Sequence, residues 1–189
     1  MLTARNPDSP GILRPQGSSR LVFFCDHASN RIPEELHDLG LPAPELTRHI
    51  AWDIGAAGVT EVLSEIFDAP AIFCPTSRLV IDCNRQLHAA DLIPESSDGT
   101  AIPGNRLLSE AARAVRVERW FHPYHDAVEA VLLEREARGV PSIAVSIHSM
   151  TASLAGKARP IRRASVSPPG TSSSTSMRTS VTSKAPSCR

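Results

Sequence analysis

The chain has 189 residues, twenty basic and twenty acidic side chains, and a hydrophobic fraction of 41%. That length holds one ordinary domain with a substantial core. Zero formal charge excludes the basic footprint of a nucleic-acid or anionic-membrane binder, and no apolar run reaches the ~20 residues needed to span a bilayer.

The N-terminal stretch lacks the apolar segment of a secretory signal, and four cysteines without a CxxC pair read as reduced thiols of a cytoplasmic protein. Residues 1–19 read as a flexible leader containing Pro10 and Pro15. Residues 20–26 are a short run of branched and aromatic side chains, which predicts a buried strand. Residues 33–39 predict a short helix, with Pro33 near its first turn and Gly40 at its end. Another short helical stretch follows at 44–49. Across 54–67, Val59, Val62, Leu63 and Ile66 recur at helical spacing, which predicts an amphipathic helix. Strands are expected at 71–74 and 79–81, with Pro75-Thr76 turning between them. Residues 87–104 read as a long loop beside the site. A helical region then begins at Asn105 or Ser109 and reaches Arg119. A second helix covers 123–138, with Val128, Val131 and Leu132 on one face and Gly139 at its end. Residues 142–147 read as a further buried strand. Strands alternating with helices imply a mixed, largely parallel sheet covered on both faces.

The last part of the chain has a different composition. No Asp or Glu follows Glu136, and half of residues 164–189 are Ser or Thr. Such a segment has too little apolar surface to offset its ordering entropy, so 161–189 is expected to be a disordered tail. A reading-frame shift, a truncation or a natural tail would each produce the abrupt change near Pro160.

Three apolar runs deliver polar groups at their ends, where an open α/β sheet places its working residues. His27 follows the first strand and His148 the last, each positioned to offer a neutral nitrogen to a metal. Asp53 is the acidic candidate for a third ligand and Asn30 the alternative; the competing role for Asp53 is a helix N-cap. Arg78 and Asn84-Arg85 offer guanidinium and amide donors suited to a carboxylate and a developing oxyanion. Their competing role is to fix a loop through Asp82. In His122-Pro123-Tyr124-His125 the two imidazoles share a helix side, and His125 reads as a group that orients a ligand or contacts substrate.

Five blocks in order resemble the N-formylglutamate amidohydrolase family. They are Asp26-His27-Ala28-Ser29-Asn30-Arg31-Ile32-Pro33, His49-Ile50-Ala51-Trp52-Asp53-Ile54-Gly55-Ala56, Ser77-Arg78-Leu79-Val80-Ile81-Asp82-Cys83-Asn84-Arg85, His122-Pro123-Tyr124-His125 and Ser146-Ile147-His148-Ser149. The resemblance covers roughly 20–160. It implies a three-layer α/β/α sandwich like that of zinc carboxypeptidases and aspartoacylases, incomplete here at the C-terminus. It also implies a metal-dependent hydrolase that cleaves a formyl or acyl amide of an acidic amino acid with metal-activated water. By the same resemblance His27 and His148 hold a divalent metal, with zinc the expected ion, Arg78 polarises the carbonyl, and Asn84 and Arg85 bind a small carboxylate-bearing substrate. The residue reading adds Asp53, or else Asn30, as the third ligand and His125 as a further substrate contact. The family's late glutamate, its candidate general base, has no counterpart here. The rival expectation is therefore a degenerate, inactive carboxylate-binding fragment.

Overall fold

The structure, a computed structural model, describes residues 6–151 together with three short strands, Ser153–Leu154, Lys157–Ala158 and Val181–Thr182. In chain order the elements are β1 (Gly11–Leu13), β2 (Leu21–Cys25), α1 (Ala43–Leu46), α2 (Ala56–Phe67), β3 (Ala71–Phe73) and the hairpin β4 (Ser96–Ser97) and β5 (Thr100–Ala101). They continue with α3 (Glu110–Arg116), α4 (His122–Ala137), β6 (Ile143–His148), a hairpin of β7 (Ser153–Leu154) and β8 (Lys157–Ala158), and β9 (Val181–Thr182).

One sheet runs in the order β1-β3-β2-β6-β9. β2 is parallel to both β3 and β6, β6 to β9, and only β1 is antiparallel, to β3. The alternation of side chains along a strand builds two cores from these few residues. Val22 and Phe24 of β2 and Ile72 of β3 face a layer containing Trp120, Tyr124 and Val131. Phe23, Cys25, Ala71 and Ile147 face the other way, onto Ala56 and Leu63 of α2. Helices thus cover both faces of a mixed, largely parallel sheet, the expected three-layer arrangement.

Four local readings are corrected by the structure. Residues 11–13 of the expected leader form the edge strand β1, paired Gly11↔Phe73 to Leu13↔Ala71. Leu79, Val80 and Ile81 are buried but form a turn, not a strand. There Ser77 Oγ accepts from Leu79 N at 3.1 Å and donates to Ala51 O at 2.7 Å, so a side-chain hydroxyl replaces strand pairing. In the expected 87–104 loop, Asp98-Gly99 closes the β4–β5 hairpin with φ of 42° and 81°, a turn that needs the left-handed region at both positions. Finally, α2 buries Ala56, Thr60 and Ser64, while Val62 and Ile66 are 55% and 68% exposed. Small side chains let the helix approach the sheet, and the buried hydroxyls bond backward to Ala56 O and onward to Ala69 O.

The helical stretch before β6 is nearly continuous. Ser109 caps α3 by accepting from Ala112 N. A π-helical turn at Val117–Phe121 joins α3 to α4, and His122 N bonds to Val117 O. Pro123 lacks an N–H, and the wider turn just before it rotates Trp120, Phe121 and Tyr124 into the core. Most of 161–189 lies outside the described residues. Of that stretch, Val181 pairs with Ile147 and Thr182 with His148.

Candidate metal centre

The site sits where the chain changes direction across the sheet. From β2 the chain crosses to β3 through α2 on one face, and from β3 it reaches β6 through α3 and α4 on the other. The crevice at the C-terminal ends of β2 and β6 is therefore a topological switch point, the usual ligand position in such sheets. His27 follows β2 and His148 ends β6. Backbone bonds stitch the other segments to them: Asp53 N donates to His27 O at 3.0 Å, Ser77 N to Arg31 O at 2.8 Å, and Arg78 N to Ala51 O at 3.2 Å.

His27, Asp53 and His148 converge, with their ligand atoms all within 4.8 Å of one another. Asp53 Oδ2 lies 2.8 Å from His148 Nδ1 and 3.4 Å from His27 Nδ1. The two rings are tilted, with centroids 5.2 Å apart. Each imidazole meets another carboxylate through its remaining nitrogen. His27 Nε2 is 2.7 Å from Asp82 Oδ1. His148 Nε2 is 2.9 Å from Ser146 Oγ and 3.2 Å from Asp26 Oδ2. Asp26 is in turn held by the hydroxyls of Tyr124 and Ser146, each at 2.7 Å. Arg78 bridges the acids, donating to Asp53 Oδ1 at 3.3 Å and Asp82 Oδ2 at 3.0 Å.

These partners set the electrostatics. Burial pulls the His148 imidazole down, but hydrogen bonds to Asp26 and Asp53 outweigh it and raise its pKa to about 9. His27 is raised in the same way by Asp53 and Asp82 against its burial. Asp53 and Asp82, despite burial, are held well below the carboxylate range, Asp53 by both histidines and Asp82 by His27 with Arg78.

The donor set fits a divalent cation. Asp26, Asp53 and Asp82 against Arg78 leave two net negative charges when both imidazoles are neutral, the charge one divalent ion would cancel. Imidazole and carboxylate are ordinary zinc ligands, with bonds of roughly 2 Å. A proton on Nε2 of each ring, donated to Asp82 or Asp26, leaves both Nδ1 lone pairs toward Asp53. That carboxylate–histidine pairing is the usual support of a metal-binding imidazole.

The other expected site residues lie around this centre. Asn84 Nδ2 is 3.5 Å from His148 Nε2, and its backbone N donates to Asp82 Oδ1 at 2.9 Å. Arg85 Nε donates to Asp91 Oδ2 at 2.7 Å and lies 4.0 Å from Asp82. His125 Nε2 donates to Cys83 O at 3.1 Å, with its ring against Phe121 at 4.2 Å. Asn30, the alternative third ligand, instead donates to Leu46 O at 2.9 Å. Asp53 also accepts no side-chain cap bond at the start of α2, whose N-cap is Gly55. The sequence reading missed Asp26, Tyr124 and Ser146. A readable signal existed for one of them: Ser146 stands two positions before His148, on the same face of an otherwise apolar strand.

The fold and this donor set define an α/β domain with a candidate metal centre at the sheet's switch point. The family model for N-formylglutamate amidohydrolase matches residues 19–187, and the chain belongs to that family. Among solved structures, it is similar to gene product Atu2144 from Agrobacterium tumefaciens, with 38% identity and a TM-score of 0.78. That alignment covers 80% of this chain and 60% of the Agrobacterium chain. A search of curated proteins gave no significant match. Among the described residues no helix is long and apolar enough to cross a membrane.

Proposed function

We propose that this chain is a metal-dependent amidohydrolase that cleaves the formyl or acyl amide of an acidic amino acid. The observation that carries this reading is the convergence of His27, Asp53 and His148 at the sheet's switch point, beside Arg78. When bound, a divalent cation, zinc by ligand type, would polarise an amide carbonyl and lower the pKa of water.

The chain's own residues would do the rest. With a metal bound in place of the ring protons, Asp82 and Asp26 would hold the two imidazoles in the tautomer that keeps Nδ1 unprotonated. Arg78 is part-buried and uses two of its five N–H donors on Asp53 and Asp82. The others would stabilise an oxyanion developing on the scissile carbonyl. Asn84 and Arg85 would hold the substrate carboxylate, with Asp91 orienting the guanidinium, and His125 would contact substrate from the Cys83 side. The substrate is a small carboxylate-bearing amide.

One observation favours a second reading, binding without turnover. Asp26, Asp53 and Asp82 are all engaged by histidine or arginine and held below the usual carboxylate range, which makes them weak bases. Zinc titration followed by an N-formylglutamate hydrolysis assay separates the readings. Stoichiometric zinc with zinc-dependent turnover supports hydrolysis, and zinc with ligand binding but no turnover supports the second. Protein that takes up no divalent ion overturns both.

A further inference from the structure

We propose that Cys74 and Cys83 form a dithiol modification site, which a hydroperoxide oxidises to a disulfide closing a covalent ring around Arg78 and Asp82. The two sulfurs lie 3.6 Å apart and the residues nine positions apart in sequence. Cys74 follows β3, with its amide bonded to Cys25 O at 3.0 Å, and Cys83 stands between Asp82 and Asn84. A disulfide needs about 2.05 Å between sulfurs, so the pair must close by roughly 1.6 Å, through side-chain rotation and a shift of the backbone that carries Cys83. Both thiols are buried, at 1% and 3% exposure. That burial disfavours bulky disulfide reagents and suits a small neutral hydroperoxide that enters by local opening.

The electron count closes. Cys74 sulfur attacks the peroxide, forming S–O as O–O breaks, and one water (an alcohol from an organic peroxide) leaves with the thiol proton. Cys83 sulfur then attacks the sulfenic acid, forming S–S as S–O breaks, and a second water leaves. The two thiols lose two electrons and the hydroperoxide gains them. Cys74 is the attacking sulfur because its hydrogen bond with Cys83 lowers it, whereas that bond pushes Cys83 up. Cys25, a third buried thiol, is pushed up to about 12 by burial and stays reduced.

The ring contains both groups that tie the site together. Asp82 holds His27 Nε2, and Arg78 bridges Asp53 to Asp82. Drawing Cys83 toward Cys74 displaces Asp82 and loosens the donor set. That consequence rests on the metal reading; the cross-link itself does not.

The test uses the full chain carrying Cys188→Ser, reduced, treated with hydrogen peroxide, denatured, alkylated and digested for peptide mass analysis. The expected product is a Cys74–Cys83 peptide pair lighter by two hydrogens and reversed by dithiothreitol. In Cys83→Ser, which keeps a hydroxyl donor beside Cys74, that pair is absent and dimedone captures Cys74 as a sulfenic acid. Peroxide-treated protein in which both thiols remain alkylatable, or in which Cys25 is the partner, overturns the proposal. Zinc affinity of the oxidised chain should fall at least tenfold and return on reduction. Unchanged affinity with the cross-link present overturns the coupling to the site. If the reduced chain binds no zinc, the metal reading fails and the mass result still decides the cross-link.

Discussion

His148 meets Asp53 through Nδ1 at 2.8 Å and turns Nε2 toward Ser146 and Asp26, the same use of its two nitrogens that His27 makes with Asp53 and Asp82. One carboxylate therefore joins the two imidazoles, and a separate carboxylate backs each of them. If the centre holds a metal, removing the shared carboxylate should cost far more than removing a backing one. Asp53→Asn should lower zinc affinity at least a hundredfold by calorimetry or chelator competition. Asp82→Asn should lower it about ten- to a hundredfold, the usual size for a ligand's supporting group. Equal losses would mean that Asp53 is not a ligand.

Protons and metal compete for these nitrogens, so affinity should depend on pH with a definite sign. His148 is raised to about 9 from an ordinary 6.5. Without metal, its stabilisation is complete below about 6.5 and is lost as pH rises through 9. Urea unfolding of metal-free protein should show the midpoint falling across that window. Zinc affinity should move oppositely, rising by up to about tenfold per pH unit for each proton displaced and levelling off above 9. A His148→Gln variant should lose most of the stability slope. A wild-type midpoint that climbs between pH 7 and 9 would contradict the protonated pair.

The sequence carried β2, β3, β6, the longer helices and the three convergent residues, because strand ends and helical spacing are local signals. It could not show what lies opposite them. Asp82 reads equally well as a loop anchor for Arg78, and it does bond Arg78; its contact with His27 across 55 positions is set by the fold alone. Asp26 stands at the end of an apolar strand, and its partner Tyr124 comes from a distant helix. The apolar run Leu79-Val80-Ile81 has strand composition, yet Ser77 turns it into a buried plug. Burial was legible there, and backbone conformation was not.

Arg85 carries the specificity prediction. Its guanidinium is about one-third exposed and is steadied by Asp91, so it can meet a carboxylate at the rim of the site. Arg85→Ala should weaken binding of N-formylglutamate by about tenfold or more while barely changing that of its neutral amide analogue. Isothermal titration with both ligands checks this. Equal weakening would remove the carboxylate assignment.

Arg135 tests the packing. It is fully buried on α4, where it donates to Gly17 O at 3.0 Å, to Ser19 O and to Ser142 Oγ at 2.8 Å, tying the segments before β2 and β6 together. Replacing it leaves two carbonyls unsatisfied in a cavity, each such group costing about 1–3 kcal/mol. Arg135→Met should therefore destabilise the fold by about 3 kcal/mol in urea unfolding, with zinc affinity of the folded protein unchanged.

α2 gives the reverse of what its apolar pattern suggests. Its buried line is Ala56, Thr60 and Ser64, all small, and its larger side chains at Val62 and Ile66 face outward. Helix and sheet are close enough that added volume on the small line has nowhere to go. Thr60→Leu should cost about 1–3 kcal/mol through overpacking, plus the lost bond to Ala56 O. Ile66→Gln should stay within about 0.5 kcal/mol, as expected of an exposed position. Urea midpoints of the two variants decide the orientation. A larger loss for Ile66→Gln than for Thr60→Leu would mean that the helix buries its apolar stripe in solution, and that Phe23 and Cys25 of β2 face a different surface from the one described.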